Sequence, residues 1–71
     1  MSYTLFVGDN CHECAEVIAF LEQENFEHRQ VNIDHEEEKP PLEIFVYPAL
    51  FKGKELICYG SDIKRYVTEI S

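Results

Sequence analysis

From Tyr3 to Val7 the chain forms a short, mostly apolar run that suits a strand buried on both faces, and Gly8-Asp9-Asn10 then supplies turn chemistry. Beyond the turn the period changes. Cys14, Val17, Ile18 and Leu21 fall on one helical stripe, while Glu13, Glu16, Gln23 and Glu24 fall largely elsewhere. Asn10 followed by Glu13 has the spacing of a capping box, which predicts a helix with Cys11 at its first position; Asn25 closes the far end in a left-handed conformation. In "EHRQVNID", Val31 and Ile33 alternate with polar neighbours and predict a second strand. Strand, helix and strand in so short a span make a right-handed βαβ unit with parallel strands.

Farther on, "PALF" and "ELICY" read as two strands joined through Lys52-Gly53, a hairpin in which glycine takes positive φ. Ser61 is placed to cap a last helix, whose Ile63, Tyr66, Val67 and Ile70 follow helical spacing. Between the halves, "DHEEEKPP" at residues 34 to 41 predicts a solvated loop. The predicted order is β-α-β, a loop or single helical turn, then β-β-α: one two-layer α/β domain spanning residues 1 to 71, with no repeat and no linker.

Composition narrows what such a domain does. With 71 residues the chain has room for one core and one site, and its 45% hydrophobic and 13% aromatic content argues for a folded protein. Tyr3, Phe6, Phe20, Phe26, Phe45, Phe51 and Tyr66 all sit inside periodic segments. Fourteen acidic against six basic side chains give a net charge of -8, which repels phosphate backbones and anionic lipid surfaces. Nucleic acid and membrane are therefore not expected partners. The start "MSYTLFVGD" lacks the basic and long apolar regions of a signal peptide, and no window approaches the roughly 20 apolar residues of a membrane span. A cytoplasmic monomer is the expectation.

Three cysteines are too few, and odd in number, for a secreted disulfide scaffold. Cys11 and Cys14 make a single C-x-x-C where the first strand gives way to the first helix. A thiol at a helix N-terminus has its thiolate stabilised by unpaired N–H groups and the macrodipole, so Cys11 is the candidate nucleophile. Cys14, one turn further in and shielded by its own helix, is the candidate resolving thiol. Two other readings stay open. The same cysteines are half of many zinc or iron–sulfur sites, although no second C-x-x-C or H-x-x-H pair completes one. The chain can also be an interaction module without turnover. Cys58 reads as a small apolar strand residue.

A strand leading into C-x-x-C at the head of a helix, the proline of "VYPAL" opening a later hairpin, and the helix start "YGSDI" together resemble a glutaredoxin, within the thioredoxin-like superfamily. The resemblance covers essentially the whole chain. It implies a four-stranded mixed sheet in the order β2-β1-β3-β4, Pro48 in cis facing the cysteines, and substrate contacts from the backbone of Tyr47. In that order Cys58 lies two strands from the first, about 10 Å to the side of the cysteine pair, and His35, unlike His28, lies at the cysteine end. The resemblance also implies thiol–disulfide exchange on protein disulfides or glutathione mixed disulfides, with no bound cofactor and with glutathione or a thioredoxin-type reductase as electron donor. Gly60, Ser61 and Asp62 stand where the family holds the γ-glutamyl end of glutathione. The lysine usual before the motif is absent, the second-helix region has shrunk to the acidic loop, and His12-Glu13 replaces the usual Pro-Tyr. A protonated His12 and the helix end would lower the Cys11 pKa, whereas Glu13 and Asp9 would raise it.

Overall fold

The structure, a computed structural model, describes residues 2–70. Its elements are β1 (Tyr3–Val7), α1 (His12–Gln23), β2 (Arg29–Asn32), β3 (Ala49–Lys52), β4 (Glu55–Tyr59) and α2 (Asp62–Ile70). The four strands form one mixed sheet in the expected order β2-β1-β3-β4. β1 pairs in parallel with β2 and antiparallel with β3, and β4 closes the antiparallel hairpin. No helix among the described residues is long and apolar enough to cross a membrane.

Side chains of β1 alternate between two faces of the sheet, and both faces are dry. Leu5 and Val7 join Cys14, Val17 and Leu21 of α1, Leu50 of β3, and Ile63 and Val67 of α2 in one cluster. Phe6 joins Val31, Ala49 and Phe51 in a second, where the Phe6 and Phe51 rings meet edge to face at 5.4 Å between centroids. Each helix thus buries its stripe on the first face. The second face is covered by the irregular segment 33–48, which lays Ile44 and Tyr47 against it.

That segment is longer than the predicted acidic loop and contains no helix; it opens on a single hydrogen-bonded turn, in which the His35 and Glu36 N–H groups donate to Asn32 O at 3.1 and 2.9 Å. It is tied at several points. Asn32 Oδ1 accepts from the Asp34 N–H at 2.9 Å, an Asx turn, and the Asn32 N–H donates to Glu36 Oε2 at 3.0 Å. Glu38 then meets Arg29 in a two-pronged ion pair, which raises the Arg29 pKa and lowers that of Glu38, chiefly through the hydrogen bonds between them.

Several local expectations are corrected. The α1 cap is Cys11, not Asn10: Asn10 adopts φ 53° to turn the chain out of β1, so Cys11 takes the extended conformation that precedes a helix (φ -114°, ψ 101°). Phe45 lies outside any periodic element and is 87% exposed. Ile70, at the end of α2, has run past the sheet and is 49% exposed, whereas Ile63 and Val67 are buried as expected. Ser61 does stand immediately before α2, where backbone bonds from Ile63 N–H to Gly60 O and from Lys64 N–H to Ser61 O start the helix. Asn25 (φ 55°) and Gly53 (φ 63°) adopt the predicted left-handed conformations.

The β3–β4 register carries one irregularity. Leu50 faces Cys58, but the next residue, Phe51, faces Leu56, so Ile57 is an extra residue in β4. The bulge reverses the side-chain alternation: Leu56 packs with the Phe51 cluster, while Cys58 turns to the helix-covered face.

Because Leu21 is wholly buried between α1 and the sheet, Leu21→Ala should cost about 2–5 kcal/mol, whereas Glu22→Ala on the solvent side should stay within about 0.5 kcal/mol of wild type. Urea unfolding midpoints read both, and equal costs would contradict this account of the core.

Candidate functional site

The candidate site lies at the end of the sheet where β1, β2 and β4 finish and where β3, α1 and α2 begin. Cys11 and Cys14 form a disulfide there, with their Cα atoms 5.1 Å apart. The two sulfurs have unlike surroundings. Cys14 is 2% exposed within the helix-side core, whereas Cys11 is half-buried at the surface. Cys11 Sγ accepts from the Cys14 N–H at 3.1 Å, so the sulfur occupies the place of a capping oxygen. In the reduced protein the same N–H and the positive end of α1 stabilise a Cys11 thiolate.

Tyr47 brings the segment before β3 to the cysteines. Its carbonyl oxygen is 3.9 Å from Cys11 Sγ, and the Tyr47–Pro48 peptide bond is cis. The Pro48 ring is buried, and the Pro48 carbonyl accepts from the Gly60 N–H at 2.8 Å, tying the head of β3 to the turn before α2. Gly60 takes φ +64°, and a Cβ there would stand 3.4 Å from Glu13 Oε1, so this turn also abuts the first turn of α1. Tyr47, Pro48 and Gly60 are therefore brought to the cysteine pair. Ser61 and Asp62 stand exposed beside them. His12 points into solvent, its side chain 91% exposed and 3.4 Å from Glu16.

A polar network that the sequence reading missed braces the turn before Cys11. The Asp9 N–H donates to Asp34 Oδ2 at 2.6 Å, Asn32 Nδ2 donates to Asp9 Oδ1 at 3.1 Å, and His35 Nε2 lies 2.8 Å from Asp9 Oδ2. Gly8 fits beneath this network, since a Cβ there would stand 3.2 Å from Asp34 Oδ2. The legible signal was the pairing of two turn-forming strings, "GDN" and "NIDH", at the adjacent ends of two parallel strands.

Cys58 packs on the helix-side cluster together with Cys11, as a free thiol. Burial, helped by the nearby Asp62 carboxylate, pushes its pKa up to about 11. Among the described residues no group of three or more His, Cys, Asp or Glu side chains is disposed to hold a metal ion. A concavity of about 650 Å³, lined by Ser2, Tyr3, Phe26 and His28 among others, lies at the opposite end of the sheet.

Comparison with protein-family models, curated proteins and solved structures finds no match to this chain. The arrangement stands on its own chemistry: a surface sulfur capping a helix, bonded to a buried sulfur one turn away.

With its pKa near 11, Cys58 holds only roughly one part in a thousand of thiolate at pH 8. In reduced protein, iodoacetamide should label Cys11 well before Cys58, and the Cys58 rate should climb about tenfold per pH unit between pH 8 and 10. Peptide mass spectrometry of partly alkylated protein measures both; a Cys58 rate that levels off below pH 9 would contradict the assignment.

Proposed function

We propose that this protein is a glutaredoxin-like thiol–disulfide oxidoreductase on a thioredoxin-like fold, reducing protein disulfides or glutathione mixed disulfides through Cys11 and Cys14. The observation that carries the reading is the asymmetry of the pair, an accessible sulfur capping the helix and a buried one bonded to it. The sheet order, the C-x-x-C at the head of the first helix and the proline preceding β3 support the fold assignment.

In the reductive direction the Cys11 thiolate attacks one sulfur of a substrate disulfide. The substrate S–S bond breaks, its leaving thiolate takes a proton from solvent, and a Cys11–substrate mixed disulfide forms. Cys14 then loses its proton and attacks Cys11 Sγ. The second substrate thiolate departs and is protonated, and the Cys11–Cys14 bond closes. The substrate gains two electrons and two protons, and the protein's dithiol loses them. Two glutathione thiols, or the dithiol of a thioredoxin-type reductase, restore the reduced pair.

Tyr47 and Pro48 form the wall beside Cys11 against which a substrate chain lies, and Gly60, Ser61 and Asp62 supply the neighbouring turn for the γ-glutamyl group of glutathione. His12 reaches solvent at the entrance. With the familial lysine missing and an acidic surface around the pair, protein disulfides are favoured over tight glutathione binding. A dithiol kept reduced in this cycle suits a cytoplasmic monomer.

Reduction of insulin and of a glutathione mixed disulfide should be abolished by Cys11→Ser, while Cys58→Ser should work at the wild-type rate. Cys14→Ser should accumulate a mixed disulfide on Cys11, visible by intact-mass measurement. Persistent insulin reduction by Cys11→Ser would overturn the assignment.

A further inference from the structure

The turn that leads into Cys11 is held from a distant part of the chain. Ile33 N–H donates to Val7 O at 2.9 Å, which carries the parallel β1–β2 pairing one step further and sets residues 33–35 beside Gly8 and Asp9. Asn32 shapes that neighbour: its carbonyl accepts from the His35 and Glu36 N–H groups, and its Oδ1 accepts from the Asp34 N–H at 2.9 Å. Asp34 is thereby aimed at the other strand's exit. Its Oδ2 accepts from the Asp9 N–H at 2.6 Å, one residue before Asn10 takes φ 53° and two before Cys11 caps α1. The fit is close, since a Cβ on Gly8 would stand 3.2 Å from the same oxygen. Asn32 Nδ2 adds a second tie, to Asp9 Oδ1 at 3.1 Å.

An exposed carboxylate in this place has two effects on a Cys11 thiolate, and they differ in sign. As a charge Asp34 disfavours the thiolate, but solvent and salt screen that repulsion. As an acceptor it fixes the Asp9 peptide, and so the direction from which the chain enters the helix. The 3.1 Å contact between Cys11 Sγ and the Cys14 N–H depends on that direction, and a hydrogen bond to an ionised sulfur is roughly twice as strong as one between neutral groups. The contact acts at bonding distance and outweighs the screened charge.

We infer that Asp34 is a positioning residue for Cys11: its carboxylate holds the turn that keeps the sulfur aimed at the Cys14 N–H, a role that rests on the oxidoreductase reading for its use in turnover but is measurable without turnover. Asn32 supports the same turn by orienting both Asp34 and Asp9.

The two signs make the test. In reduced full-length protein, iodoacetamide labelling of Cys11 is followed across pH by peptide mass spectrometry for wild type, Asp34→Ala, Asp34→Asn and Asn32→Ala. The ionisable groups of the surrounding elements, Asp9 and His35 in the turns, His12 and Glu13 on α1, Cys58 on β4 and Asp62 on α2, are the same in all four. Asp34→Ala should move the Cys11 profile to higher pH, lowering the rate on its rising limb about fivefold. Its Cys11–Cys14 disulfide should be favoured severalfold in equilibrium with glutathione, because the competing thiolate has lost support. Asp34→Asn keeps an acceptor oxygen without the charge and should stay within about twofold of wild type. Asn32→Ala removes no charge and should lower the rate in the same direction as Asp34→Ala, so it carries the test if Asp34→Ala fails to fold. A Cys11 rate in Asp34→Ala equal to or above wild type would show that only the charge is felt and would overturn the inference. So would an Asp34→Asn rate as low as that of Asp34→Ala, or an Asn32→Ala rate equal to wild type. Wild-type protein that reduces neither insulin nor a glutathione mixed disulfide would instead overturn the oxidoreductase reading, with the positioning role still read from the labelling rates.

Discussion

The structure depends on β1 being buried on both faces while the described residues form only two helices. Leu5 and Val7 take up the helices on one side, so the face bearing Phe6, Val31, Ala49 and Phe51 has to be covered by something irregular. Segment 33–48 does this. It leaves β2 at the cysteine end, is anchored by Glu38 to Arg29 on the outer strand, and returns to the cysteine end to enter β3. Two consequences follow from one packing requirement. Tyr47 is delivered to the side of Cys11, and apolar residues with no sheet left to cover, Phe45 foremost, are left facing water near it.

The cysteine pair is differentiated by backbone geometry before any neighbouring charge acts. Asn10 turns with positive φ, Cys11 is left extended, and its sulfur faces the unpaired N–H of Cys14. Cys14 is already inside the helix and packs against Val17 and the sheet. The contact between Cys11 Sγ and that N–H is only 3.1 Å, whereas the surrounding carboxylates are exposed and screened over about 8–10 Å. The helix end therefore dominates at the sulfur, and the acidic rim acts on whatever approaches from outside. A strongly acidic surface and a stabilised thiolate are compatible because they operate at different ranges.

Much of this architecture was legible in the sequence, and what was missed has identifiable causes. The strands, both helices and the buried stripe Cys14, Val17 and Leu21 follow from periodicity, because burial on one face imposes it. The cap on α1 was misplaced by one residue: Asn10 and Glu13 have the spacing of a capping box, but spacing does not reveal that Asn10 is needed at φ 53° to leave the strand. Phe45 was counted among the aromatics of periodic segments, but it falls in the irregular segment, where Ile44 and Tyr47 already fill the available face. The Asp9–Asn32–Asp34–His35 network joins two loops far apart in sequence, and only the parallel pairing of β1 with β2 brings them together.

The β4 bulge shows how a one-residue irregularity decides chemistry. In a regular strand Leu56 and Cys58 would share a face. The extra residue, Ile57, sends Leu56 to the loop-covered face and Cys58 to the helix-covered one, against the core that also receives Cys11. The third thiol is thereby placed near the pair's side of the sheet, but it is also desolvated and set near Asp62, both of which hold it protonated. A thiol so held is a poor nucleophile toward the Cys11–Cys14 bond, so proximity alone does not make Cys58 a third member of the couple. The different surroundings of the three cysteines come from their local backbone: a helix cap for Cys11, a helix interior for Cys14 and a bulged strand for Cys58.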